Sequence, residues 1–124
     1  MILNTGVDII EVERIKEVLE KFGERFQKRI YTQTEIDYCE TFKDTKYVHY
    51  AARFAAKEAF SKAIGTGITQ GFKFNEIGIR NEKSGMPVLE LFGDLAEKWG
   101  KYKVHISLSH TKDNAIAFVV MEEI

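Results

Sequence analysis

Apolar residues crowd the start of the chain, with Ile2, Leu3, Val7, Ile9 and Ile10 predicting a short strand over residues 2–10 that carries Asp8 near its end. Helical spacing follows at once. Ile15, Leu19, Phe22, Phe26 and Ile30 recur at steps of three and four and predict one apolar stripe. Gly23 breaks or bends that helix, since glycine costs about 1 kcal/mol in a helix interior. Thr32-Gln33-Thr34-Glu35 has the capping-box spacing and opens a further short helix through Ile36 and Tyr38. The polar stretch 41–47 predicts a loop.

Residues 48–64 predict the longest helix. Ala52, Ala55, Ala56, Ala59 and Ala63 cover one side, where small side chains let the backbone approach a neighbour closely. Arg53, Lys57, Glu58, Ser61 and Lys62 spread over the other half, and Gly65-Thr66-Gly67 ends the helix. Beyond it the pattern turns to strands. Phe72, Phe74, Ile77 and Ile79 suggest one, Asn81 to Gly85 a turn, and Pro87 to Leu91 the returning strand. A short helix is expected from Asp94 to Trp99, ending at Gly100. Val104, Ile106 and Leu108 then alternate with His105, Ser107 and Ser109, the period of a half-buried strand. A turn at His110–Asn114 leads to a hydrophobic strand over 115–121. The expected class is α+β, a single domain over residues 1–124 with a mostly antiparallel sheet packed against a long central helix.

The 124 residues are 44% hydrophobic and 30% charged with a net charge of -1, which gives no global electrostatic case for nucleic acid or membrane. Cys39 stands alone, so no intrachain disulfide forms, which suits a reducing compartment. No signal-like segment opens the chain and no apolar run approaches the ~20 residues of a membrane span. The expected location is the cytoplasm.

Two acids carry the candidate chemistry. Asp8 interrupts an apolar strand, and Glu58 sits on the alanine-rich helix, with Lys62 one turn beyond it. Burying such acids is costly unless a cation or strong hydrogen bonds compensate. A hard cation and phosphate site is one reading of Asp8, Glu58 and Lys62. The plain structural reading makes Asp8 a cap for the following helix and Glu58–Lys62 a surface ion pair worth ~0.2–0.5 kcal/mol. Residues 14–30 hold six basic side chains against three acidic ones. Arg14, Lys21, Arg25 and Lys28 fall together, with Val18 among them, if the helix is continuous. Such a stripe is either a mixed solvated face or a docking face for an acidic partner helix.

Gly6-Val7-Asp8-Ile9 with Arg14-Ile15, then Phe54-Ala55-Ala56-Lys57-Glu58-Ala59 with Lys62-Ala63, then Gly85-Met86-Pro87 and Ser107-Leu108-Ser109-His110-Thr111 occur in the order seen in one family. Together they span nearly the whole chain, which resembles the holo-[acyl-carrier-protein] synthases, the short bacterial 4′-phosphopantetheinyl transferases. Met86 departs from the pattern, since the family often has a basic residue between that glycine and proline. The resemblance implies the phosphopantetheinyl transferase fold and transfer of 4′-phosphopantetheine from coenzyme A to a serine of an apo acyl carrier protein. It also implies Mg2+ held by the carboxylates of Asp8 and Glu58, service to fatty acid biosynthesis, and a homotrimer with the coenzyme A site between subunits.

On that reading Lys62 neutralises the diphosphate, and either Glu58 or a water on the ion takes the serine proton. Arg53, Lys57, Gly65, Thr66 and His110 are the further candidates for coenzyme A contacts. Arg14, Val18, Lys21, Arg25 and Lys28 would meet the acidic carrier. Two other functions use the same residues: a non-catalytic module that binds acidic partner proteins, and a magnesium-dependent hydrolase of nucleotides or diphosphates.

Overall fold

The computed structural model describes residues 1–65 and 72–124. The chain runs β1 (Ile2–Glu11), α1 (Val12–Phe22), α2 (Glu24–Ile30), α3 (Gln33–Glu40) and α4 (Lys46–Ala63). A 3-10 turn at Phe74–Glu76 follows, then β2 (Ile77–Asn81), β3 (Pro87–Leu91), α5 (Gly93–Trp99), β4 (Lys103–His110) and β5 (Asn114–Glu122). An antiparallel sheet in the order β1-β5-β4 and an antiparallel hairpin β2-β3 flank α4, so the α+β class holds.

The sheet lies against α4 through residues of alternating position. Gly6 and Ile10 of β1, and Ala115, Ala117, Val119 and Met121 of β5, are buried towards the helix. They meet Ala55, Ala56, Ala59 and Ala63, all buried. Gly6 is required at this contact: a methyl group there would collide with the Ala59 carbonyl oxygen and lie 2.9 Å from the Ala63 nitrogen. The small-residue side of α4 thus packs on β1 at the only kind of residue that lets two backbones come so near.

The other side of α4 is also covered, contrary to the expectation from its polar residues. Arg53, Lys57 and Ser61 are 2%, 0% and 1% exposed. Lys57 donates to Glu35 Oε1 and to the Ile30 carbonyl, both at 2.6 Å. Glu35 belongs to the expected capping box, in which its backbone N–H is donated to Thr32 Oγ1 and its carboxylate accepts from the Thr32 N–H. A charged pair, rather than solvent, satisfies this face of α4 because α3 and β2 pack on it.

The break at Gly23 stands as expected, and five further expectations are corrected. Gly23 adopts φ 57° and ψ -137°, so α1 stops and α2 starts in a new phase. Phe22 therefore leaves the apolar stripe and is 52% exposed. For the same reason the basic stripe is divided, with Arg14 and Lys21 on α1 and Arg25 and Lys28 on α2. Asp8 caps nothing: it lies within β1 opposite Ala117, and the N-cap of α1 is Glu11. The strand expected from Phe72 begins only at Ile77, after the 3-10 turn, and α4 starts at Lys46, inside the expected loop.

Candidate functional site

The folded chain brings Asp8 and Glu58 to one pocket of about 340 Å³, lined also by Ile9, Ile10, Arg14, Ile15, Val18, Phe26 and Phe54. The close packing at Gly6 is the reason. Asp8 is two residues further along β1 and so faces the same way, while Glu58 precedes the Ala59 that touches Gly6. Lys62 donates to Asp8 Oδ1 at 3.2 Å and to the Val7 carbonyl at 3.0 Å. It therefore bridges strand and helix rather than pairing with Glu58, and the surface-pair reading of Glu58–Lys62 is replaced. Its side chain stays 52% exposed, against 18% for Asp8, so the ammonium remains open to a ligand.

Burial and then the neighbouring charge of Asp8 push the Glu58 carboxyl above its usual range, against the opposing pull of Lys62 and Arg14. Two carboxylate oxygen donors from two rigid elements fit a hard divalent cation, which often binds through one or two carboxylates with substrate oxygens. Asp8 and Glu58 are the residues that would hold it. Among the described residues no cluster of three or more metal-ligating side chains occurs, so water and substrate must complete such a shell.

A second cavity, of about 570 Å³, opens on the other side of α4. Its walls are His49 and Arg53 of α4, Ile106, Leu108 and His110 of β4, and the Asn81–Pro87 turn. Arg53 donates from Nη2 to Asn81 Oδ1 at 2.5 Å, and its guanidinium lies 4.3 Å from the Tyr38 ring centre. Arg53 Nε is buried and has no hydrogen-bond partner among the described residues. The His49 and His110 rings meet edge to face at 6.2 Å, and burial, with Arg53 and His110 nearby, lowers the His49 pKa. Arginine, two imidazoles and an amide around one opening suit an anionic, hydrogen-bonding ligand.

The remaining candidates divide. Lys57 is no ligand contact, because its ammonium is spent inside the protein on Glu35 and Ile30. Gly65 closes α4 with φ 80° and donates its N–H to the Lys62 carbonyl. Thr66, like Gly67, lies outside the described residues. Arg14, Lys21, Arg25 and Lys28 are all exposed, Val18 is half-buried, and Arg14 and Val18 reach the carboxylate pocket itself. Cys39 is fully buried and its thiol is pushed up to about 12, mainly by burial, which removes it as a nucleophile.

Sequence reasoning missed His49, Phe26, Phe54 and Asn81. Phe26 reads as core, Phe54 only as part of the family motif, and Asn81 as an ordinary turn residue. Only the packing of the hairpin on α4 sets Asn81 beside Arg53.

A family model described as the 4′-phosphopantetheinyl transferase superfamily matches residues 4–119. A holo-[acyl-carrier-protein] synthase of Koribacter versatilis is 44% identical over 99% of this chain and 100% of its own length. One from Syntrophus aciditrophicus is 41% identical over 98% of this chain and 97% of its own. The crystal structure of a holo-(acyl-carrier-protein) synthase from Bacillus anthracis in complex with CoA (3′,5′-ADP) superposes with a TM-score of 0.85 at 40% identity, covering 100% of this chain and 99% of that one. That of Helicobacter pylori, in complex with coenzyme A, gives a TM-score of 0.85 at 31% identity over 95% of this chain and 99% of that one.

Proposed function

The chain belongs to the 4′-phosphopantetheinyl transferase superfamily, among its holo-[acyl-carrier-protein] synthases, and from that premise we propose that the Asp8–Glu58 pocket is where the phosphopantetheine arm of coenzyme A passes to a serine of an apo acyl carrier protein. The observation that carries this is the meeting of the two carboxylates over an apolar floor, with an exposed ammonium beside them.

In the reaction the serine oxygen bonds to the phosphorus that carries the pantetheine arm. The bond from that phosphorus to the bridging diphosphate oxygen breaks, and adenosine 3′,5′-bisphosphate leaves with that oxygen. Asp8 and Glu58 would hold Mg2+, which when bound would supply Lewis-acid polarisation of the attacked phosphoryl group. Glu58 is placed to take the serine proton, directly or through a water. Lys62, fixed by Asp8 and the Val7 carbonyl, offers its ammonium to the diphosphate. Arg53 and His110 seat the ribose phosphate in the second cavity. The apolar floor of Ile15, Val18, Phe26 and Phe54 keeps bulk water from the reacting phosphorus. The product serves fatty acid biosynthesis in the cytoplasm, and no helix among the described residues is long and apolar enough to cross a membrane.

Mixing the protein with apo carrier, coenzyme A and Mg2+ and weighing the carrier tests the reading. A phosphopantetheine mass gain is expected. Nucleotide consumed with the carrier unchanged would indicate a hydrolase instead, and binding without chemistry a docking module.

Although divided between α1 and α2, Arg14, Lys21, Arg25 and Lys28 are all exposed, and the carrier docks across both helices with Val18 as its apolar anchor. Reversing Arg14 and Arg25 to Glu together should raise KM for the carrier by about 10- to 100-fold and flatten the salt dependence. Unaltered carrier kinetics would remove the docking face.

The functional form is a homotrimer. Val7, Ile9, Ile116 and Phe118 stand 49%, 64%, 37% and 45% exposed on the outer face of the β1-β5-β4 sheet. Val7 lies opposite Phe118 and Ile9 opposite Ile116, so they make one apolar patch that a second copy would cover. Arg53 and Glu58 project about 140° apart around α4, and their pockets share no lining residue. Apposed copies would join the carboxylate pocket of one to the arginine cavity of the next. Phe118→Glu should sediment as a monomer with transfer lost; a fully active monomer would contradict the shared site.

A further inference from the structure

We propose that Glu35 is a positioning residue for coenzyme A, setting the β2-β3 hairpin that walls the Arg53 cavity; this rests on the reading that the cavity takes coenzyme A. Glu35 is 0% exposed, and its carboxylate joins two elements besides its own, with a third reached through Lys57. Oε1 accepts from the Thr32 N–H at 2.8 Å and from Lys57 Nζ of α4 at 2.6 Å, while Oε2 accepts from the Ile79 N–H of β2 at 2.9 Å. Lys57 adds the Ile30 carbonyl at the end of α2. The acid thus ties α2, α3, α4 and β2 at one point.

A buried ion pair is weak evidence of a role in stability, because apolar residues of like volume often do as well or better. What the Glu35 carboxylate adds is direction. It fixes where Ile79 sits along α4, and Asn81, two residues further along β2 and on the same face, then reaches Arg53. Asn81 Nδ2 in turn donates to the Gly85 carbonyl at 3.1 Å and closes the turn. Ser84, Gly85, Met86 and Pro87 of that turn form one wall of the cavity. The carboxylate pocket borrows no residue from the hairpin. A shift of β2 should therefore weaken coenzyme A binding and leave the chemical step alone.

The experiment compares variants that never strand a buried charge. Glu35→Leu with Lys57→Met removes the ion pair and the acceptor for Ile79, whereas Glu35→Gln with Lys57→Met removes the pair and keeps an acceptor. The first should raise KM for coenzyme A about tenfold, the size of one or two lost hydrogen bonds. The second should restore most of it, with kcat within about twofold of wild type in both. Glu35→Asp, which keeps the charge on Lys57 and draws back from Ile79, should show the same KM-only loss and decides the matter if the leucine variant does not fold.

Wild-type KM in the folded variants, equal impairment of the leucine and glutamine variants, or a loss confined to kcat would each overturn the proposal. Failure of the underlying reading looks different, because Arg53→Ala, which changes the cavity wall directly, would then leave KM for coenzyme A at the wild-type value, whereas it raises that KM if only the role of Glu35 fails.

Discussion

Asp8→Asn and Glu58→Gln should each lower the rate of carrier modification by at least about 10³-fold, the combined scale of losing a proton acceptor and an electrostatic clamp. Neither change should harm the fold. Burial and the charge of Asp8 already disfavour ionised Glu58, so removing that charge relieves a strain. The pH dependence has a definite sign. Because folding raises the Glu58 pKa, the folded state binds its proton more tightly than the unfolded chain. That contribution is fully present below the ordinary carboxylate range and is lost as pH rises through the raised value. In metal-free buffer Glu58→Gln should then melt at or above wild type at neutral pH, with the gap closing as the pH falls. Adding Mg2+ should raise the wild-type Tm by mass action and leave both variants unmoved. Equal Mg2+ shifts in all three proteins would dissociate the pair from the ion.

Among the described glycines, Gly6→Ala should be the most damaging change to alanine. The atoms it meets are backbone of Ala59 and Ala63, so no side chain can rotate away and β1 must separate from α4. The expected cost is about 3 kcal/mol, at the upper end of overpacking, and a Tm lower by roughly 10–15 °C. Activity should fall further than stability accounts for, since Asp8 moves with β1 while Glu58 stays with α4. Gly23→Ala carries a different penalty, from its φ of 57° with open space around it, and should leave the Asp8–Glu58 geometry alone. A Gly6→Ala protein with wild-type melting and full transfer would mean that strand and helix do not lie this close.

Periodicity made the backbone elements legible. The alanine side of α4, the period-two pattern of β4 and the Thr32–Glu35 box each report a local steric or hydrogen-bonding rule, and each stands where it was expected. The boundary errors lie where a local rule had a competitor: Gly23 rotates α2 out of phase with α1, and Phe74–Glu76 turns before β2 begins. Among the site residues, Asp8 and Glu58 were legible because an acid in an apolar strand and one on a small-residue helix are unusual in themselves.

Lys57 marks the limit. One position from Glu58 and equally charged, it reads from sequence as a ligand contact, yet it is sealed against Glu35. Sequence alone determined which residues could be helical, extended or tightly packed, because those preferences act over a few neighbouring positions. Tertiary structure alone decided which charges face a ligand, since the partners of Asp8, Lys57 and Arg53 come from 22 to 54 positions away and burial is set by what packs over them.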